Sequence, residues 1–171
     1  MATGTLVPLE EYLHTSYRPD CDYVDGVVEE RNVGEYEHSS VQMAIGAYFF
    51  ARRKEWKIRV LPEQRVQVAR TRFRVPDVCV IREPGPFDPI IKVPPFICIE
   101  ILSPDDRMVR VQRRIDDYLA FGVPYVWLID PGSRRAFVYS SEGSHEVKDG
   151  ILRTQDPEMI VPLAEVFASL E

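Results

Sequence analysis

The sequence predicts an α/β domain: a mixed β-sheet core flanked by helices, with an N-terminal helix and hairpin packed on the core. Three observations lead there. The runs "FRVPDVCVI", "PFICIEIL" and "YVWLID" are short, apolar and dense in β-branched residues, as strands covered on both faces are. An amphipathic stretch between the second and third supplies one crossover helix. A longer helical pattern precedes all three.

Thr5 is placed to cap a short helix through "LVPLEEYLHT", with Pro8 in its first turn. In "DYVDGVVEE", Asp25-Gly26 between apolar pairs signals a tight hairpin. From His38 to about Trp56, Val41, Ala44, Ile45, Tyr48 and Phe49 recur at helical spacing. Arg52, Arg53 and Lys54 crowd the final turn, where positive charge suits the helix dipole. "KIRVLPEQRVQVAR" reads as extended chain broken near Pro62, and the five prolines of "REPGPFDPIIKVPP" make a loop. Ser103 as N-cap, Pro104 at the first position and Asp106 near the third open a helix that runs to about Phe121 and stops at Gly122. After "YVWLID" the chain turns at Asp130-Pro131-Gly132. "RAFVYS" and "SHEVKDG" then form an antiparallel hairpin at the sheet edge, and "PLAEVFASL" closes as a short amphipathic helix. No repeat or linker divides this order. The expectation is one domain over residues 1–171, of which 1–35 form the N-terminal helix and hairpin.

A length of 171 residues suits one domain, and 45% hydrophobic residues is too apolar for disorder. No apolar run approaches the roughly 20 residues that cross a bilayer. The start "MATGTLVPLEEYL" lacks the basic-then-apolar order of a secretory signal, so a cytoplasmic protein is expected. With 21 basic against 27 acidic residues the net charge is −6, which argues against coating nucleic acid through bulk charge. It leaves a nuclease open, because a metal-holding site concentrates carboxylates. Cys21, Cys79 and Cys98 form no CxxC pair; Cys79 and Cys98 read as buried strand residues in a reducing compartment. His14, His38 and His145 are too scattered for a zinc site.

Two acids stand out because apolar strand residues surround them: Asp77 after Pro76, and Glu100 inside "FICIEILSP". A carboxylate in such a setting costs several kcal/mol unless it is paired or holds a cation. On neighbouring strands the two would offer oxygen ligands to Mg²⁺ or Mn²⁺. The plainer alternative is that Asp77 caps a turn and Glu100 pairs with an arginine. On the following helix Met108, Val111, Ile115, Tyr118 and Leu119 form the apolar stripe, and Arg107, Arg110 and Arg114 lie together beside it. Arg114, at the stripe's edge, can lay its stem on the sheet and turn its guanidinium to the strand ends, where its planar fork suits phosphate oxygens.

"VPDVCVI", "PFICIEILSP", a helix ending "DDYLAFGVP" and "YVWLIDP", in that order and spacing, resemble the bacterial restriction-endonuclease-like family of the PD-(D/E)XK nuclease superfamily. The resemblance extends to "LEEYL", "DYVDGVVEE", His38 and "LPEQRV". It implies a restriction-endonuclease-like core and a metal-dependent endonuclease acting on DNA. Asp77 and Glu100 would hold Mg²⁺ or Mn²⁺, with the backbone carbonyl of Ile101 as a further ligand. The metal would polarise the scissile phosphate and acidify an attacking water.

The family's lysine stands either two residues beyond the glutamate, which is Leu102 here, or four before the helix tyrosine, which is Arg114. The acid usually found four residues earlier is Arg110. Arginine can stabilise phosphate charge but stays protonated, its pKa being about 12.5–13.8, so it cannot serve as a base. Glu30, His38 and Glu63 match positions where the family often has the same residue. Glu63, expected on the strand before Asp77, is a candidate further carboxylate, and His38 reads most simply as a polar residue at a helix start. The two arginines keep open a nuclease-like module that binds nucleic acid or a protein partner without cutting. Cutting both strands usually takes two sites, so a homodimer is expected.

Overall fold

Residues 5–171 are described by a computed structural model, in which the strands divide between two main sheets. Helix α1 (Leu9–His14) starts directly after Pro8, which is its N-cap, so Thr5 lies outside the helix and caps nothing. Strands β1 (Asp22–Val24) and β2 (Val27–Glu29) form the expected hairpin. Asp25 (φ 49°) and Gly26 (φ 96°) both take positive φ, the conformation a two-residue hairpin turn demands. Helix α2 (Tyr36–Trp56) buries His38, Val41, Ile45 and Phe49 along one stripe.

Two stretches are each split between sheets, the first at the break expected near Pro62 and the second where the sequence reads as one strand. "KIRVLPEQRVQVAR" becomes β3 (Ile58–Pro62) and β4 (Val66–Ala69). "FRVPDVCVI" becomes β5 (Arg72–Arg74) and β6 (Val78–Arg82), with Val75-Pro76-Asp77 crossing between. Pro76 has no N–H for a ladder, so the crossing falls where pairing would fail anyway. The first sheet runs β2-β1-β5-β4. The second includes β7 (Ile97–Ile101), β8 (Tyr125–Asp130), β9 (Arg135–Ser140) and β10 (Gly143–Glu146), in the order β10-β9-β8-β7-β6-β3. Only β7 and β8 pair in parallel, and helix α3 (Met108–Phe121) makes their crossover, ending at Gly122 (φ 104°). The sheet is mixed, as expected. The edge hairpin β9–β10 also matches expectation.

Helix α3 begins five residues later than Ser103. Ser103–Asp106 is instead a separate turn in which Asp106 Oδ2 accepts the Ser103 N–H at 2.7 Å. The carboxylate satisfies the orphan donor without starting the helix, and Met108, placed in the apolar stripe by the sequence, is exposed. A further hairpin, β11 (Ile151–Thr154) with β12 (Met159–Pro162), was not signalled; helix α4 (Leu163–Phe167) follows it.

Alternation sorts the six-stranded sheet into two faces. Val78, Val80, Ile97, Ile99, Ile101, Trp127 and Ile129 pack under α2 and α4. Cys79, Ile81, Cys98, Val126 and Leu128 pack under α3 with Val111, Ile115 and Tyr118. All three cysteines are buried and free. No described helix is long and apolar enough to cross a membrane. The N-terminal reading began at residues 1–4, which lie outside the described residues.

The small sheet packs on the core through Val66 and Val68 of β4, and one buried arginine adds a charged fastening. Arg74, 2% exposed, donates to Asp117 Oδ2 of α3 (2.8 Å), Asp22 Oδ2 (3.0 Å) and Glu29 Oε2 (2.9 Å). Arg74→Met is expected to lower the free energy of unfolding by about 3–5 kcal/mol, because it strands buried carboxylates without their cation. Urea unfolding measures this; a loss under about 1 kcal/mol would show the cluster to be dispensable.

Candidate active site

Glu100 belongs to the same face of β7 as Cys98, so strand alternation aims it at α3. Asp77 immediately precedes β6 on the face of Cys79 and Ile81. The antiparallel register pairs Val78 with Ile99, so the next step sets Asp77 opposite Glu100. The two acids are 3% and 2% exposed. They open on a polar cavity of about 300 Å³, bordered also by Arg31, Ile101, Arg107 and Arg110.

Each of the four carboxylate oxygens accepts a hydrogen bond. Asp77 Oδ2 accepts the Ile101 N–H at 2.7 Å; Oδ1 accepts Arg31 Nη2 at 2.6 Å and lies 3.3 Å from His38 Nε2. Glu100 Oε1 accepts the Tyr118 hydroxyl at 2.7 Å and Oε2 accepts Arg114 Nε at 3.0 Å. Around them, Asn32 Nδ2 donates to Asp106 Oδ1 at 2.9 Å, and Gln42 Nε2 donates to the Asp77 carbonyl at 2.9 Å.

The two acids differ electrostatically. Burial pushes Glu100 up to about 7, with Arg114 opposing and the Asp77 charge reinforcing the rise. Burial acts on Asp77 too, but the hydrogen bond from His38 and the charge of Arg31 outweigh it and hold Asp77 below the usual carboxylate range. His38 in turn is raised: burial disfavours its charge, and the bond to Asp77 more than compensates. The arrangement is therefore an ionised Asp77 beside a readily protonated Glu100, a pair able to hold a cation or exchange a proton.

The expected residues are brought together unevenly. Asp77, Glu100, Ile101, Arg114, Arg110, Glu30 and His38 all line the cavity. Glu100 pairs with an arginine, as the plainer alternative had it, and His38 contacts Asp77 rather than merely opening a helix. Glu63 is not there. It follows β3 at φ 48°, is exposed, gives its N–H to the Asp77 carbonyl at 3.2 Å, and borders a separate groove beside Met43 and Phe50. Sequence reasoning missed Arg31, which follows the hairpin without any pattern to mark it, and the Tyr118 hydroxyl, because Tyr118 fits the apolar stripe. Among the described residues no group of three or more His, Cys, Asp or Glu side chains forms a metal-ligand cluster.

The model of the Uma2 family, described as "Putative restriction endonuclease", matches residues 9–170. A solved structure described as a "putative nuclease belonging to DUF820" from Anabaena variabilis superposes with a TM-score of 0.82 at 24% identity. The match covers 96% of this chain and 99% of that one, so the likeness extends over the whole fold. No curated protein matches the chain.

A carboxyl raised in the folded state binds its proton there while the unfolded chain has already released it. Stability should accordingly fall as pH rises from about 4.5 to about 7, and Glu100→Gln should remove the share of Glu100 in that fall, leaving the share of His38, whose raised pKa acts in the same direction. In chelator, the variant is expected to gain on the parent by up to about 3 kcal/mol between pH 5 and pH 8. Urea titrations at both pH values check this; an identical difference at each would contradict a raised Glu100.

Proposed function

Since the chain belongs to the Uma2 family, we propose that it is a cytoplasmic, divalent-metal-dependent endonuclease that hydrolyses DNA phosphodiester bonds at the Asp77–Glu100 cavity. The observation that carries this reading is the pairing of two buried carboxylates, opposite one another at the end where β6 meets β7, at the floor of one polar cavity. Three free cysteines suit a reducing compartment.

The donor chemistry fits Mg²⁺ or Mn²⁺: two hard carboxylates that already attract positive charge, with Ile101 at the same wall. Asp77, Glu100 and the Ile101 carbonyl would hold the ion. When bound, such an ion supplies Lewis-acid polarisation of a phosphate and an acidified water. The chain's own residues set the rest. Arg114, fixed on Glu100 through Nε, is the group to offset charge on the phosphate, and it cannot take a proton. Arg107 and Arg110 are exposed at the rim and pair with no carboxylate among the described residues, leaving them free for backbone phosphates. Two copies acting together would cut the two strands of a duplex.

A second reading, a nuclease-like module that binds nucleic acid without cutting, is favoured by one observation. Each carboxylate oxygen already accepts a hydrogen bond, and Arg31 and Arg114 balance the two acids without any metal.

Supercoiled plasmid with Mg²⁺ or Mn²⁺ at low salt separates the readings. Nicking by the parent that is abolished in Asp77→Ala and Glu100→Ala supports the nuclease, and retention of DNA without nicking supports the binding module. In either case Arg107→Ala with Arg110→Ala should flatten the salt dependence of DNA retention by a log–log slope of about 2. An unchanged slope would remove both arginines from the DNA interface.

A further inference from the structure

The connection between β2 and α2, residues 30–35, has no regular structure. Among the described residues its side chains make two hydrogen bonds, Arg31 to Asp77 and Asn32 to Asp106, and both acceptors are acids of the cavity. This segment is thus strapped to the core through the candidate site itself. Arg31 is mostly buried, 13% exposed, and its Nη2 takes the closer position on Asp77 Oδ1, with His38 Nε2 also nearby.

With Arg31 and His38 both at Asp77 Oδ1, the two lone-pair directions of that oxygen are taken, whereas Asp77 Oδ2 and both Glu100 oxygens accept one hydrogen bond each and keep a direction for a metal. Arg114 differs. It projects from α3, a helix locked by Val111, Ile115 and Tyr118 in the core, and touches Glu100 through Nε alone. Of the two guanidiniums, the one on irregular backbone is the one that can leave.

Resting on the metal-binding reading of Asp77 and Glu100, we propose that Arg31 is a built-in competitor for the divalent cation. Its guanidinium neutralises Asp77 in the metal-free protein and must withdraw, with the strap 30–35, when a cation is bound. Arg31 and Arg114 already balance Asp77 and Glu100, so a dication adds two positive charges to these four groups, and withdrawal of Arg31 removes one positive charge.

The test is calorimetric titration of Mn²⁺ into the parent, Arg31→Gln, Arg31→Lys, Asp77→Asn and the Arg31→Gln/Asp77→Asn double variant. Hydrogen exchange of residues 30–35 in the parent, with and without saturating Mn²⁺, accompanies it. Arg31→Gln is expected to bind Mn²⁺ about tenfold tighter than the parent and Arg31→Lys much as the parent does. Asp77→Asn should abolish binding in both backgrounds, and exchange in 30–35 should quicken on Mn²⁺ binding. If the parent binds Mn²⁺ through Asp77 while Arg31→Gln binds no tighter, the competitor role is overturned and the metal site stands. Unchanged exchange in the Mn²⁺-bound parent overturns it equally, whether or not the variants fold. If neither the parent nor Arg31→Gln binds Mn²⁺, the metal-binding reading itself fails and takes this inference with it.

Discussion

Two carboxylates buried side by side are the constraint around which this end of the molecule is organised. Like charges repel strongly where little water screens them, and each also loses hydration. Left alone, the Asp77–Glu100 pair would open the β6–β7 end or hold a proton permanently. The chain instead draws compensation from separate elements: Arg31 from the strap after β2, His38 from α2, Arg114 and Tyr118 from α3, and a backbone N–H from β7 itself. These contacts tie the strap, α2 and α3 to the same floor.

Helix α3 serves two charge clusters at once. Arg114 and Tyr118 turn to Glu100, while Asp117, between them in sequence, reaches Arg74 in the small sheet at 2.8 Å. Arg72 also reaches Asp117, at 3.0 Å. Because Arg74 further binds Asp22 and Glu29 of the hairpin, the position of β2, and with it the start of the strap bearing Arg31, is referenced to the helix that holds Arg114. The two arginines on the candidate site are therefore placed by one framework, although they arrive from opposite ends of the chain.

Much of this was legible from the sequence. Short apolar runs dense in β-branched residues identified β7 and β8, the 3.6-residue stripe identified α2 and α3, and Asp25-Gly26 and Gly122 marked turns whose φ values other residues rarely adopt. The acids Asp77 and Glu100 stood out because their neighbours were apolar. What escaped notice depended on partners distant in sequence. Apolar character does not say which sheet a strand joins, so "FRVPDVCVI" read as one strand when its halves pair with β1 and β4 on one side of the crossing and β3 and β7 on the other. Glu63 was placed by its nearness to Asp77 along the fold's order, but a positive φ after β3 carries its side chain elsewhere. Arg31 is one arginine in a polar connection, and nothing in its neighbours distinguishes it from a solvated one.

The arginines at 31 and 114 bear on chemistry through a trade between stability and reactivity. A site whose acids are neutralised by its own side chains is comfortable without a ligand, because no oxygen is left unsatisfied. The same satisfaction opposes anything else that seeks those oxygens, since an incoming cation gains only the difference between its own interaction and that of the guanidinium it displaces. A lysine at position 114 would hold Glu100 through a compact, readily reoriented charge, whereas arginine's fork fixes direction and stays protonated. Permanent positive charge at the floor suits the holding of a phosphate more than the cycling of protons around it. In the proposed nuclease, therefore, proton transfer must fall to a group other than these arginines, and His38, raised by its bond to Asp77 against the burial that opposes its charge, is the titratable side chain beside the pair.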